Sequence, residues 1–328
     1  MTYRIIATTV TELCQTQESG TVNGVPTLHI MKKNKIEDGK LGRYPYYSGN
    51  SFRGIMHRVI ADYVSKKIGV KLSATDYHLN YAGGGSNFQA QTIDTAQKAR
   101  ELNPIISVFG ASLAIEGKLM VSNFEPVEKF WRETEKGFRF SGLVDTLQYT
   151  KKDDLISGST VDRFTLVVSD EDKAEYVELN GEIQEARAEA REKIKSGGDA
   201  EKIKKASIQS FNKAECIIVG AELDGFIGEK AELTQVERGM LLKALELMMG
   251  EQLGGLRNKG YGVMSYAVKQ ESEGSVREVM NSVKNENDIF NPIVNTMFSK
   301  DEREALEAFE KWLAAATLEN LEISKILS

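Results

Sequence analysis

Apolar and polar positions along this chain alternate between two periods, and together they predict a mixed α+β fold. Tyr3 to Val10 is rich in β-branched residues and predicts a strand beginning near the N-terminus. The polar stretch from Gln15 to Val25, broken by Gly20, Asn23 and Gly24, reads as a loop. Phe52, Ile55, Met56, Val59, Ile60, Tyr63 and Val64 then recur every third or fourth position, the spacing of one helix face, in a helix opened by Ser51. Pro104 to Ala114 is a compact apolar segment, and Lys118 to Val121 is a short strand candidate.

From Ala174 to Ser210 the pattern is lost. Glu, Lys, Arg and Ala dominate, interrupted by Gly197 and Gly198, which predicts exposed helices in a surface insertion because a helix polar all round cannot fill a core. Cys216 to Val219 has the pattern of a buried strand. Thr234 and Glu237 have the spacing of a capping box, in which the Thr hydroxyl accepts from a free backbone N–H and the Glu carboxylate reaches back. The helix they open carries Val236, Met240, Leu241, Ala244, Leu245 and Met248 on its apolar side. A glycine-rich loop, Gly254 to Gly262, leads directly into the strand Val263 to Val268, so this region reads as a βαβ unit of an α+β sandwich. Ser299 and Glu302 form a second capping box, and the stripe Leu306, Phe309, Leu313 predicts a C-terminal helix docked on the body.

Composition narrows the class. With 328 residues, 41% of them hydrophobic, the chain can bury one large core or two modest ones. The N-terminus lacks the sustained apolar run of a signal peptide, and no segment approaches the roughly 20 apolar residues that cross a bilayer. Cys14 and Cys216 lack metal-ligand spacing, a disulfide framework is excluded, and a reducing, cytoplasmic setting fits best. Net charge is −6, which argues against a nucleic-acid partner until its distribution is considered. Residues 1–72 hold eleven Lys and Arg against five Asp and Glu, so a basic N-terminal segment is joined to an acidic remainder. Either the N-terminal segment builds a basic surface, or the clustering is chance on a solvated face.

The loop Gly254–Gly262 (GGLRNKGYG) carries the most chemistry. Four glycines in nine residues allow close backbone approach to a phosphate, and Arg257 and Lys259 supply charge. It lacks the Gly-Lys-Ser/Thr ending of a Walker loop, and it follows a helix and enters a strand, the reverse of a dinucleotide fingerprint. The bland alternative is a tight turn that needs glycine. Lys259 to Tyr266 also resembles the first ribonucleoprotein motif of RNA-recognition domains, with Val263 in place of a stacking aromatic. His29, His57 and His78 show no metal spacing, and no Gly-x-Ser-x-Gly elbow occurs. His57 stands as either a general base or a structural histidine.

Three segments together resemble the RAMP superfamily of CRISPR-associated proteins. They are Tyr47 to Arg58 (YSGNSFRGIMHR), Ile106 to Ala111 (ISVFGA) with Gly117 to Ser122 (GKLMVS), and the loop Gly254–Gly262. Their order is similar to that of crRNA-binding backbone subunits, the Cas seven group, and Tyr149 to Leu155 (YTKKDDL) resembles the thumb of such subunits, with a leaning to type IV. The resemblance implies a single domain over 1–328. Its ferredoxin-like, RRM-like palm would carry a thumb hairpin at 144–165, a charged helical insertion at 172–212 and a docking helix at 299–326. It implies RNA contacts by Asn50, Ser51, Arg53, Arg58, Lys151, Lys152, Gly254, Gly255, Arg257, Asn258, Lys259 and Gly260, with no catalytic residue, metal or cofactor. The implied partners are crRNA, further copies of the chain, other effector subunits and a complementary target nucleic acid, and no membrane. Subunits of this kind that cleave target RNA carry an acid, usually Asp, in the loop after the first strand. Here that loop holds only Glu18. Other readings stay open: a RAMP ribonuclease using His29 or His57, a single-copy RNA-binding module, and a scaffold that binds no nucleic acid.

Overall fold

The computed structural model describes residues 2–22, 25–37, 40–83, 92–111, 115–127, 131–134, 137–140, 143–144, 157–161, 212–272 and 275–327. At its centre lies β1 (Thr2–Thr9), the strand expected at the N-terminus. β1 is followed in the palm by α1 (Gly49–Ile68) and β2 (Leu119–Val121), then by β3 (Glu222–Glu229), α2 (Gln235–Met248) and β4 (Met264–Ser272). β1 pairs antiparallel with both β3 and β4, and β3 pairs antiparallel with β2. The order β4-β1-β3-β2 makes two interleaved βαβ units, which is the ferredoxin-like arrangement. β5 (Ser275–Val283) and β6 (Ile293–Thr296) extend the sheet beyond β4. The fold is α+β.

Both helices cover one sheet face. Along β1, Tyr3, Ile5 and Ala7 are buried while their neighbours are not, the alternation of a strand with one covered side. They meet Phe52, Met56 and Ile60 of α1 and Leu241 and Leu245 of α2 in the main core. Burying such a side chain contributes about 1.5–3 kcal/mol before entropy is charged against it. Gly69, in the left-handed conformation, ends α1 by donating its N–H to Ser65 O. The box expected from Thr234 and Glu237 caps α2, and that from Ser299 and Glu302 caps α3 (Lys300–Ala315), whose Phe309 and Leu313 are buried.

Three expectations change. The stretch Gln15–Val25 is largely strand: Thr16–Val22 pairs antiparallel with Val25–Ile30. Its polar sequence suits an outer strand, which needs no apolar face on both sides. The segment 299–326 is not one helix, because extended backbone at Ala316 ends α3 and the Asn320 side chain accepts from Thr317 N–H to start a new turn. Cys14 and Cys216, for which a reducing setting and no disulfide framework were expected, form a buried disulfide across 202 positions. Sequence spacing gave no sign of it, because chain folding brings the end of the β1 segment beside Asn212–Ile217.

The segment Ser157–Val161, expected within the thumb, pairs antiparallel with Asn212–Ile217. Part of that region is therefore sheet. Lys151, Lys152 and nearly all of the expected insertion at 172–212 lie outside the described residues. Among the described residues, no helix is long and apolar enough to cross a membrane.

Candidate nucleic-acid interface

α1 starts at Gly49, not Ser51, with Ser48 as N-cap. Gly49 is required there, since a Cβ would lie 2.4 Å from Ser122 O. The donors of this first turn divide into two sets. Ser48 N–H donates to Gln15 Oε1 at 2.9 Å, and Gly49 N–H donates to Asn123 Oδ1 at 3.0 Å. The N–H groups of Asn50 and Ser51 have no acceptor among the described residues, which leaves them at the positive end of the helix dipole. Asn50 is exposed. Ser51 Oγ accepts from Gln15 Nε2 at 2.8 Å, so its side chain is a positioning contact. Arg53, one turn on, has no ion-pair partner among the described residues.

The glycine-rich loop is held by the same short strap. Gly255 N–H donates to Cys14 O at 2.6 Å, Gly262 N–H to Glu12 O at 2.8 Å, and Gly254 N–H to the Tyr47 hydroxyl at 3.4 Å. Burial raises the Tyr47 hydroxyl pKa to about 12, opposed by that Gly254 contact. Gly254 has φ of 75°, and a Cβ there would meet Cys14 O at 2.3 Å, so glycine is needed twice over. The Gly254 and Gly255 N–H groups, expected to face phosphate, are occupied by protein acceptors, and Gly260 N–H donates to Arg257 O. The glycines shape the loop. Its exposed cations and amide side chain, Arg257, Asn258 and Lys259, occupy the short turn Arg257–Lys259 on the outside.

Loop and helix meet at Glu251. One oxygen of its carboxylate lies 4.0 Å from Arg58 and 3.8 Å from Arg257. An open groove of about 680 Å³ runs beside this meeting point, lined by Glu251, Gly254, Gly255, Arg257, Asn258 and Phe290. The basic N-terminal segment does not form an unbroken positive surface. Arg4 pairs with Asp224, Lys32 with Glu215 and Lys33 with Glu125, so much of its charge meets acids supplied by the rest of the chain. Among the described residues, Arg53, Arg58 and the loop cations stay together near the start of α1, and Lys66, Lys67 and Lys71 lie towards its far end.

The comparisons bear on this arrangement. A profile described as the RAMP superfamily matches residues 26–265, a span that holds both α1 and the glycine-rich loop. The chain belongs to the RAMP superfamily. Among solved structures, a chain of a Type IV-B CRISPR complex is similar in fold, with TM-score 0.51 and 16% identity over 84% of this chain and 92% of that one. The crystal structure of Thermofilum pendens Csc2 aligns with TM-score 0.35 and 11% identity over 99% of this chain and 79% of that one. No curated protein matches by sequence.

In this RAMP protein the likeness of Lys259–Tyr266 to a base-stacking motif has a structural cause instead. Tyr266 is buried under α1, edge-on to Phe52 at 6.4 Å, and burial holds its hydroxyl pKa well above the ordinary range. His57 is also buried, stacked 5.0 Å from Phe109. Desolvation first, and the Arg53 charge second, lower its pKa to about 4. That favours the structural reading of His57. Among the described residues no group of three or more His, Cys, Asp or Glu is placed to hold a metal. Glu251, Gln15 and Phe290 were missed from sequence; only Phe290, a lone aromatic in a polar run, left a signal there.

Proposed function

We propose that this chain is a crRNA-binding backbone subunit of a CRISPR effector complex, of the type IV kind, which assembles in several copies along the guide and presents it to a complementary target. Its partners are the guide, neighbouring copies and other effector subunits, in the cytoplasm, and it does not itself cleave RNA. Superfamily membership and the fold likeness to a Type IV-B complex chain support the reading. One observation carries it: the strap Glu12–Gln15 holds the first turn of α1 and the glycine-rich loop side by side, with Arg58 and Arg257 meeting at Glu251 and Arg53 on the second turn of α1. Donors and cations in such a row grip phosphates and leave base edges free. A guide carrier must be indifferent to sequence in this way.

The test is native mass measurement with guides of increasing length. Copies should add stepwise as the guide grows. A fixed one-to-one complex at every length would favour a single-copy module, and no binding at low salt would favour a scaffold.

A further inference from the structure

A second cavity, of about 660 Å³, opens on the helical side of the molecule and shares Arg58 and Glu251 with the junction just described. Its size falls within the roughly 300–1,000 Å³ of small-ligand pockets. Tyr77 and Tyr81, four residues apart on the helix Ala74–Ala82, stack on one another with centroids 4.3 Å apart and planes at 23°. Tyr77 is 49% exposed, a large ring left open to the cavity. Across from them Tyr63 of α1 lies between two cations, Lys67 Nζ at 5.6 Å and Lys243 Nζ at 5.3 Å from its ring centre, and its hydroxyl donates to Glu310 at 3.1 Å. Arg58, Lys66 and Lys67 line the rim against two acids, Asp62 and Glu251. Lys66 is engaged by Asp62 at 2.6 Å.

Val59, Tyr63, Tyr81 and Leu247 on the floor of this cavity pack against the main core, whereas the outer ring, Tyr77, is not among the residues packed on it. A paired tyrosine platform beside a surplus of cations is the chemistry that binds single-stranded nucleic acid: rings stack on the faces of bases, and cations track the backbone. Arg58 joins it to the phosphate-gripping junction, so one strand crossing the glycine-rich loop passes the mouth of the cavity.

We propose that the cavity takes one unpaired base of the single-stranded RNA held at the glycine-rich loop, stacked on Tyr77, with its phosphate held by Arg58 and Lys67. This rests on the reading of the chain as an RNA carrier and adds to it a base-stacking subsite outside the phosphate grip. Stacking on a ring does not distinguish sequence, so the subsite is compatible with an indifferent carrier.

The test uses the full chain and RNA carrying 4-thiouridine at each position in turn, irradiated and mapped by peptide mass, together with binding titrations over a range of salt. Cross-links should reach the peptide containing Tyr77. Tyr77→Ala should weaken binding about 5- to 100-fold with the salt slope unchanged, the effect of one lost stack, while Tyr77→Phe retains affinity. Thermal melts identify any variant that fails to fold, and Tyr77→Phe then still reports through its cross-link. Cross-links confined to residues 254–262, with Tyr77→Ala binding like the parent, overturn the subsite and leave the carrier function standing. An absence of RNA binding by every form, the parent included, overturns both.

Discussion

Arg58 on α1 and Arg257 in the glycine-rich loop share one carboxylate oxygen, Glu251 Oε2, at 4.0 and 3.8 Å. Two guanidiniums 199 positions apart are thus held together by a single acid, which leaves one positive charge unmatched at the meeting of helix and loop. A phosphate entering here competes with Glu251 for the same donors. Glu251→Gln should therefore tighten RNA binding and steepen the dependence of log affinity on log salt by about 0.7. Stability should change by less than about 1 kcal/mol, because all three side chains are around 40% exposed. Weaker binding would show that the acid orients the arginines more than it neutralises them.

Arg53, Arg257 and Lys259 are proposed phosphate contacts. Alanine at any one should lower affinity to a similar degree for guides of unrelated sequence and flatten the salt slope by about 0.7–1. Titrations with several guides at three or more salt concentrations decide it. A loss confined to one guide would mean base readout at that residue.

Periodicity made the palm legible. The stripe Phe52, Met56, Ile60 and the capping boxes at Thr234 and Ser299 each became the element they predict, because both signals are local. The edge strand Thr16–Val22 was hidden, since an outer strand with polar residues looks like a loop until its partner Val25–Ile30 is known. The candidate site was legible as two motifs but not as one place. Their juncture depends on Gln15 bonding Ser48 and Ser51, on Cys14 O accepting from Gly255, and on Glu251 meeting Arg58, all of them long-range contacts. For the same reason the partners of the loop's N–H groups are not legible in the sequence: Gly254 and Gly255 donate to acceptors far away along the chain.

His57 predicts a pH effect on stability. Its folded-state pKa of about 4 lies below the ordinary 6.5, so as pH falls the unfolded chain takes up the proton first. The contribution is fully present above about pH 6.5 and is lost progressively from there to pH 4, by on the order of 3 kcal/mol. His57→Phe keeps a ring against Phe109 and should remove this component from denaturant-unfolding stabilities measured across that window. An unchanged pH profile in the variant would refute the assignment.

The Cys14–Cys216 disulfide closes a long loop and lies behind Gly254 and Gly255. Alkylation under denaturing conditions should label neither cysteine until reductant is added, and then both. Reduction, or Cys14→Ser with Cys216→Ser, should cost about 2–4 kcal/mol of stability. Full labelling without reductant would mean that the two thiols are free in solution.

Absence of intrinsic target cleavage is the remaining expectation. In-line attack on RNA by a ribose hydroxyl or water needs a positioned base, a metal-held nucleophile, or both. The only acid between Gln15 and Val25 is Glu18, and it is now placed on a strand, opposite His29 in the register beside a bulge. A carboxylate can ligate a metal and an imidazole can act as a base, so Glu18 and His29 are the residues to test. His57, the other histidine considered as a base, is buried against Phe109. The assembled complex, incubated with complementary RNA and Mg²⁺ or Mn²⁺, should leave the RNA intact. Cuts at regular spacing that disappear in Glu18→Ala and persist in His57→Phe would make this chain a target-cleaving ribonuclease, and their loss in His29→Ala as well would assign the pair its roles.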